Sequence, residues 1–390
     1  MGIKKLIVIL ASLSFSFSAL ADHHEGGEKK PFSIYGDFAT SMSFYDSENI
    51  TSQNPVGTAG GIQNPFNNHD DFDVNLIEIN LEKNWSKSQL HLSIGYGTTA
   101  LAVNGLGTTS ARVLNVMNAY YKMMSDYGLN FWIGKFESPV GHETYNHMDN
   151  AQFTRSWGFL LAPIFSTGLG IEYGADMWNA GLIISNGAGS DTDTQDNNKT
   201  MALVVDVDPM ENLHFDLNYV TGTEGFGGAG TNANAPTVPQ TANITANQIT
   251  ILDISAKFML NEMLDFAINR IAHTQKNTAP GSTEFEATSL AAYVNANFGM
   301  FGLGLRYEQF DYDSGIRLYN GPGAAVAAPQ GTDNSLTSIT LAASAEIDQN
   351  AMVMLEYRQD SADDNGTFAD KDGQATDAFN TITASLMYRF

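Results

Sequence analysis

Charged side chains recur at alternate positions in several stretches, as in Arg306 with Glu308 and Glu356 with Arg358. In an extended strand such spacing puts both residues on one face, so a series of them forms an electrostatic lining. On the polar faces of the clearest strands, the acids are Asp37, Glu172, Asp206, Asp216, Asp253, Asp265, Glu308 and Glu356, and the bases are Lys257, Arg306, Arg358 and Arg389. Eight acids against four bases would favour cations in an aqueous channel. Arg306 and Glu308 are expected to pair with each other across water, for little net energy.

Other chemistry has weaker support. The chain has no Cys, which excludes disulfides, thiolate metal sites and a Cys nucleophile. Ser138, His142 and Ser156 are residue types used by an ester hydrolase, but such an enzyme would need them on the membrane-facing wall. The run Asp191–Asp196 has calcium-loop character, broken by Gln195 and by the missing Gly and Glu positions. His23-His24-Glu25 reads as a polar tail, and Gly222 with Gly225–Gly230 has no strand-and-helix context for phosphate. No metal and no cofactor is expected. A net charge of -24 and a pI near 4.4 set the surface against phosphate, so nucleic acid is not an expected partner.

The elements that would position this lining are strands. Phe32, Ile34, Phe38, Met42 and Phe44 share one face, while Ser33, Tyr35, Asp37, Ser41 and Ser43 share the other. The alternation recurs to the end of the chain and gives about 16 strands of roughly 9–14 residues, the length that crosses a bilayer when tilted. At 72–84, 112–124, 129–137 and 335–347 the sequence is strand-like without a clear facing. Tight turns are expected near 85–88, 125–128, 175–177, 208–212, 261–263, 299–300 and 348–350. Long Gly-, Asn- and Asp-rich loops fall between them, near 46–71, 103–111, 138–167, 187–199, 223–248, 275–284, 313–334 and 361–376. Loop lengths sorted by side describe an all-β, antiparallel transmembrane barrel with short periplasmic turns and long extracellular loops.

Lys4 and Lys5 precede an apolar run closed by Ala19 and Ala21, which reads as a signal peptide over residues 1–21. Residues 22–31 would then be a flexible periplasmic segment and 32–390 the barrel. At the other end, Ile382, Ala384, Leu386, Tyr388 and Phe390 alternate with polar residues. Tyr388 and Phe390 resemble the terminal signature that the barrel-assembly machinery of Gram-negative bacteria recognises. The last strand must pair with the first, because the bilayer core offers no water to an open sheet edge.

Gly134-Lys135-Phe136-Glu137-Ser138-Pro139-Val140-Gly141-His142-Glu143, followed by Arg155-Ser156, Ala162-Pro163 and Thr167-Gly168, resembles the β-barrel porin-2 (OmpL-like) family. The resemblance implies a diffusion porin in the bacterial outer membrane. Its partners would be lipid, lipopolysaccharide, the assembly machinery, and small hydrophilic solutes and ions. A homotrimer stays open, as does the alternative of a barrel with a specific solute or a structural and adhesive role. By analogy with large porins, the third long loop folds inward. Phe153, Trp157, Phe159, Leu160, Leu161 and Phe165 would be poor solvent-facing residues and need a wall to pack on. Lys135, Glu137, His142, Glu143, Asp149 and Arg155 would then place both charge signs at a constriction, with Asp37, Asp216, Asp253, Arg306, Glu308, Glu356 and Arg358 on the wall around it.

Overall fold

In the computed structural model, the described residues are 31–45, 72–104, 114–188, 198–225, 246–277, 284–313, 317–319, 325–327, 334–363, 368–369 and 375–390. The expected export signal, the tail at 22–30, the Asp191–Asp196 run and the glycine-rich stretch after Gly225 lie outside them.

The first nine strands are β1 (Phe32–Tyr45), β2 (Phe72–Trp85), β3 (Ser88–Tyr96), β4 (Asn115–Met124), β5 (Leu129–Glu137), β6 (Phe165–Ala175), β7 (Trp178–Ser185), β8 (Thr200–Met210) and β9 (Leu213–Gly225). They are followed by β10 (Ala246–Asn261), β11 (Leu264–Asn277), β12 (Glu284–Asn297), β13 (Phe301–Tyr312), β14 (Arg317–Tyr319), β15 (Ala325–Ala327), β16 (Asn334–Asp348), β17 (Ala351–Ala362), β18 (Phe368–Ala369), β19 (Ala375–Thr376) and β20 (Ala378–Arg389). Two short pairs, β14 with β15 and β18 with β19, lie within long connections. The other sixteen strands form one closed antiparallel barrel in which each pairs with its neighbours in sequence. All seven expected tight turns join strands where the sequence placed them.

The barrel closes where β1 meets β20, from Asp37 opposite Arg389 to Tyr45 opposite Thr381. Gly36 and Phe390 exchange two backbone hydrogen bonds, of 3.0 and 2.9 Å, so the terminal aromatic residue sits on the seam. Apolar alternation faces outward: Leu203, Leu217, Ile254, Ile268, Leu305 and Leu386 are among the exposed large side chains. Trp85, Tyr127, Tyr173, Trp178, Phe298 and Phe390 are exposed around the short-turn end, an arrangement of the kind found in membrane-interface girdles. Among the described residues no helix is long and apolar enough to cross a membrane.

Bulges explain two of the unclear facings. The β1–β2 register shifts between Ala39 and Thr40, which leaves Asn75 extra on β2, so Asn75 and Leu76 are both buried and the alternation changes phase. A second shift between Ser93 and Ile94 does the same at Met117 and Asn118 of β4. The connection after β3 contains a helix that the sequence reading did not anticipate, α1 (Thr98–Val103), all of it buried. It occupies only six residues, too few for a helical period to show.

Candidate functional site

Residues 138–164, between β5 and β6, fold into the barrel. Their neck is closed by the Ser138 amide donating to the Ile164 carbonyl at 2.8 Å. Two short 3-10 turns, His147–Asp149 and Gly158–Leu161, shape the loop, and Asn146 caps the first by accepting from the Met148 amide. Phe153, Trp157, Phe159, Leu160, Leu161 and Phe165 are buried, in one cluster with Ile249, Ile251, Ile271, Phe310, Leu336, Met354 and Met387 of the wall. The same cluster takes in Leu76, Met117, Ile183 and Val204 from the other strands, so the lumen around the loop is a packed apolar core that supplies the wall the loop residues needed.

Polar wall residues fix the loop by its backbone. Glu308 accepts from the Trp157 and Gly158 amides at 2.8 and 2.7 Å and from Ser289 Oγ at 2.7 Å. Glu356 accepts from the Phe153 amide at 2.6 Å and from Thr154 Oγ1 at 2.6 Å. Asp253 accepts from the Gly141 amide at 2.8 Å and from Asn218 and Asn269. Asp360 takes the Trp157 indole N–H at 2.9 Å and both forks of Arg358, whose Nη1 donates to the Arg155 carbonyl. Each of these carboxylates is fully desolvated and fully partnered, as a buried charge requires. Close approach needs small residues: a Cβ on Gly158 would lie 2.6 Å from Ser289 Oγ, and one on Gly304 would lie 2.7 Å from Gln152 Nε2.

The expected pairing of Arg306 with Glu308 does not form. Arg306 instead donates to Glu143 at 2.6 Å, to the Thr154 carbonyl at 2.8 Å and to Thr340, while Glu308 serves the loop amides. The loop, invisible to an alternation argument, outcompetes a neighbour two residues away. Glu143 also accepts from the Ser156 amide and hydroxyl. Burial works to raise its carboxyl, but Arg306, Arg155 and the Ser156 bonds outweigh it and hold the group below its usual range.

Arg155 is a clasp within the loop. Its guanidinium donates to the carbonyls of Thr144, Phe153 and Tyr145 and is wholly buried, which lowers its pKa to about 10. Lys135 is buried too, donating to Asn104 at 2.7 Å and lying 4.9 Å from the Phe165 ring centre. Glu137 ends β5 and is only partly buried. At the foot of the loop, Asn146 donates to Asp37 at 2.8 Å, and Arg389 bridges Asp37 at 2.6 Å and Asp149 at 2.9 Å. His142 packs on the Tyr293 ring at 4.6 Å. Asp216 belongs to a separate patch near the short turn between β8 and β9, bonded to His214 and Ser255.

Of the six residues expected at a constriction, His142 and Asp149 keep partial exposure on the loop, whereas Lys135, Glu143 and Arg155 are withdrawn into the packing. Anchors the sequence reading missed are Glu78, which accepts from Tyr145 Oη at 2.6 Å and also from Ser93, together with Asn218 and Asp360. Asp360 continues the alternation of Glu356 and Arg358 and was legible there. Glu78 was hidden by the bulge at Asn75.

This geometry, a closed barrel with one long loop docked inside, can be set beside known proteins. The family model described as "Putative beta-barrel porin-2, OmpL-like" matches residues 38–390. The chain belongs to this porin family. Membership places the protein in the bacterial outer membrane as a porin. Solved structures share the fold at low identity. A trimer form of OmpT from Vibrio cholerae is 12% identical with a TM-score of 0.58, covering 92% of this chain and 99% of its own. The anion-selective porin from Comamonas acidovorans is 9% identical at 0.58, with coverages of 92% and 99%. The outer membrane channel DcaP of Acinetobacter baumannii is 9% identical at 0.55, covering 92% and 97%. No curated protein sequence matches the chain.

Proposed function

We propose that this porin is a passive diffusion channel for small hydrophilic solutes and ions, narrowed by residues 138–164 and mildly selective for cations. The observation that carries the reading is the inward loop, anchored on strands around a sixteen-strand wall, a strand number that encloses an aqueous lumen. The preference for cations rests on charges that remain partly open inside the barrel. Glu82, Asp149, Asp216 and Asp265 stand there against Lys257 and Arg389. Fully docked acids such as Glu308 and Glu356 are satisfied by loop donors and add less to the field than the sequence count implied. No catalytic role is proposed: Ser156 hydrogen-bonds Glu143, and His142 packs on Tyr293.

Residues 1–21 act as the export signal, and Tyr388 with Phe390 serve the assembly machinery. Lipopolysaccharide and lipid surround the wall, and a homotrimer, the form named for the Vibrio cholerae barrel, is the assembly consistent with this fold.

A planar-bilayer recording with a KCl gradient tests the reading. Conductance with a potassium-favouring reversal potential is expected. A chloride-favouring potential, the behaviour named for the Comamonas acidovorans porin, would overturn the selectivity, and absence of conductance would overturn the channel. Shortening 138–164 should raise single-channel conductance, whereas shortening the connection between β9 and β10 should change it little; equal effects would overturn the constriction.

A further inference from the structure

Near the short turn joining β8 and β9, three side chains on the inner wall converge without any help from the loop. Asp206 and Asp216 are directly opposed in the strand register, and His214 lies two residues before Asp216 on the same face. One donor atom from each of Asp206, His214 and Asp216 falls within 4.8 Å of the others. Like charges set directly across an antiparallel pair repel, so this pairing needs a compensating positive charge.

The compensation is incomplete. Asp206 is 3% exposed, and its Oδ2 has no hydrogen-bond partner. A buried carboxylate oxygen left unmet is costly, and the contrast with Asp253, which receives three N–H donors on the neighbouring wall, is plain. The other two groups each have a further supporting partner. His214 Nδ1 lies 2.7 Å from Asp208 Oδ1, and Ser255 Oγ donates to Asp216 Oδ2 at 2.5 Å.

We propose that Asp206, His214 and Asp216 bind one divalent transition-metal cation of the Zn2+ type on the lumenal wall. An imidazole with two carboxylates suits a borderline cation, whereas Ca2+ and Mg2+ take shells made of oxygen alone. The ion would take His214 Nε2 from its 2.6 Å contact with Asp216 Oδ1, while Nδ1 keeps its bond to Asp208. A carboxylate behind a ligating imidazole fixes the ring and its tautomer, which makes Asp208 a positioning residue. Three protein ligands on a wall facing water leave a further position for a water molecule.

Calorimetric titration of the purified full-length chain in detergent with ZnCl2 tests the site. One ion per chain is expected, undisplaced by Mg2+. Asp206→Asn and His214→Gln should each weaken binding by well over about 10-fold, and Asp208→Asn by roughly 10-fold. The double replacement of His23 and His24 by Ala should leave affinity unchanged. The proposal is overturned by no stoichiometric binding, as when the two carboxyls simply share a proton, by displacement with Mg2+, by unchanged affinity in the Asp206 and His214 variants, or by loss on removing His23 and His24. X-ray absorption at the zinc edge of the unaltered protein needs no variant. One imidazole among oxygen ligands is expected, and two or more would overturn the assignment.

Discussion

The wall from β10 to β20 and the wall at the turn end of β8 and β9 are built from the same residue types at the same spacing, yet their charges do different work. On the first, Asp253, Glu308, Glu356 and Asp360 hold the backbone and indole N–H groups of the third loop. On the second, Asp206, His214 and Asp216 face one another. Inner-face charge is thus no measure of pore field until the groups that already occupy it are known. A docked carboxylate is part of the packing; an undocked one such as Asp216 keeps partial exposure to the lumen.

The comparison would break first if loop docking, not strand closure, held the barrel together. Deleting Thr381–Phe390 removes the seam with β1 and should abolish the compact, heat-modifiable species in detergent. A truncated chain that still ran as a compact form would mean that the docked loop and its remaining anchors are self-supporting. The next largest effect should come from Arg306→Ala, which strands Glu143 in a desolvated site and should cost about 3–5 kcal/mol. In the undocked patch Asp208→Asn, at a half-exposed side chain, should change stability by less than about 1 kcal/mol. Chemical denaturation of the two variants side by side reads the contrast; similar losses would erase it.

Facing provides an internal control. Leu386→Arg on the lipid side should cost roughly 2–4 kcal/mol in a folding assay from urea into lipid, and Ser385→Ala on the inner side much less. The smallest effect concerns acid. Burial first, then Arg155, holds the His147 imidazole well below its ordinary value of 6.5, so the ring is neutral in the docked loop. An undocked loop takes up the proton sooner, so the stability this group lends is present above 6.5 and fades as pH falls below it. Protection factors at the Phe153 and Thr154 amides, taken against the intrinsic exchange rate at each pH, should therefore fall in mild acid, while those of β8 and β9 amides hold.

Much of this was legible in the chain. Period-two alternation and the sorting of loop lengths identified the barrel, its turns and the closing strand, because outward faces must be apolar wherever lipid touches them. The polar inner residues were equally legible: Arg306, Glu308, Glu356 and Arg358 all point inward. Their partners were not, because those partners are backbone N–H and C=O groups of a loop whose path no periodicity encodes. The ambiguous segments have the same origin. Where the wall meets the loop or α1, inner positions such as Leu76, Met117 and Leu336 are apolar on both faces of the sheet, and bulges shift the phase.

The third loop also has a position in time. Its anchors on β1 and β2 precede it in the chain, but Asp253, Glu308, Glu356 and Arg389 come later, Glu356 by 203 residues from the amide it receives. Those contacts cannot form until the last strands exist in register, and loop closure over such separations is slow. Docking is therefore a late event that reports on correct strand number: a barrel short of a hairpin would present the wrong inner face and leave the loop unseated. The loop seats fully only on a complete wall.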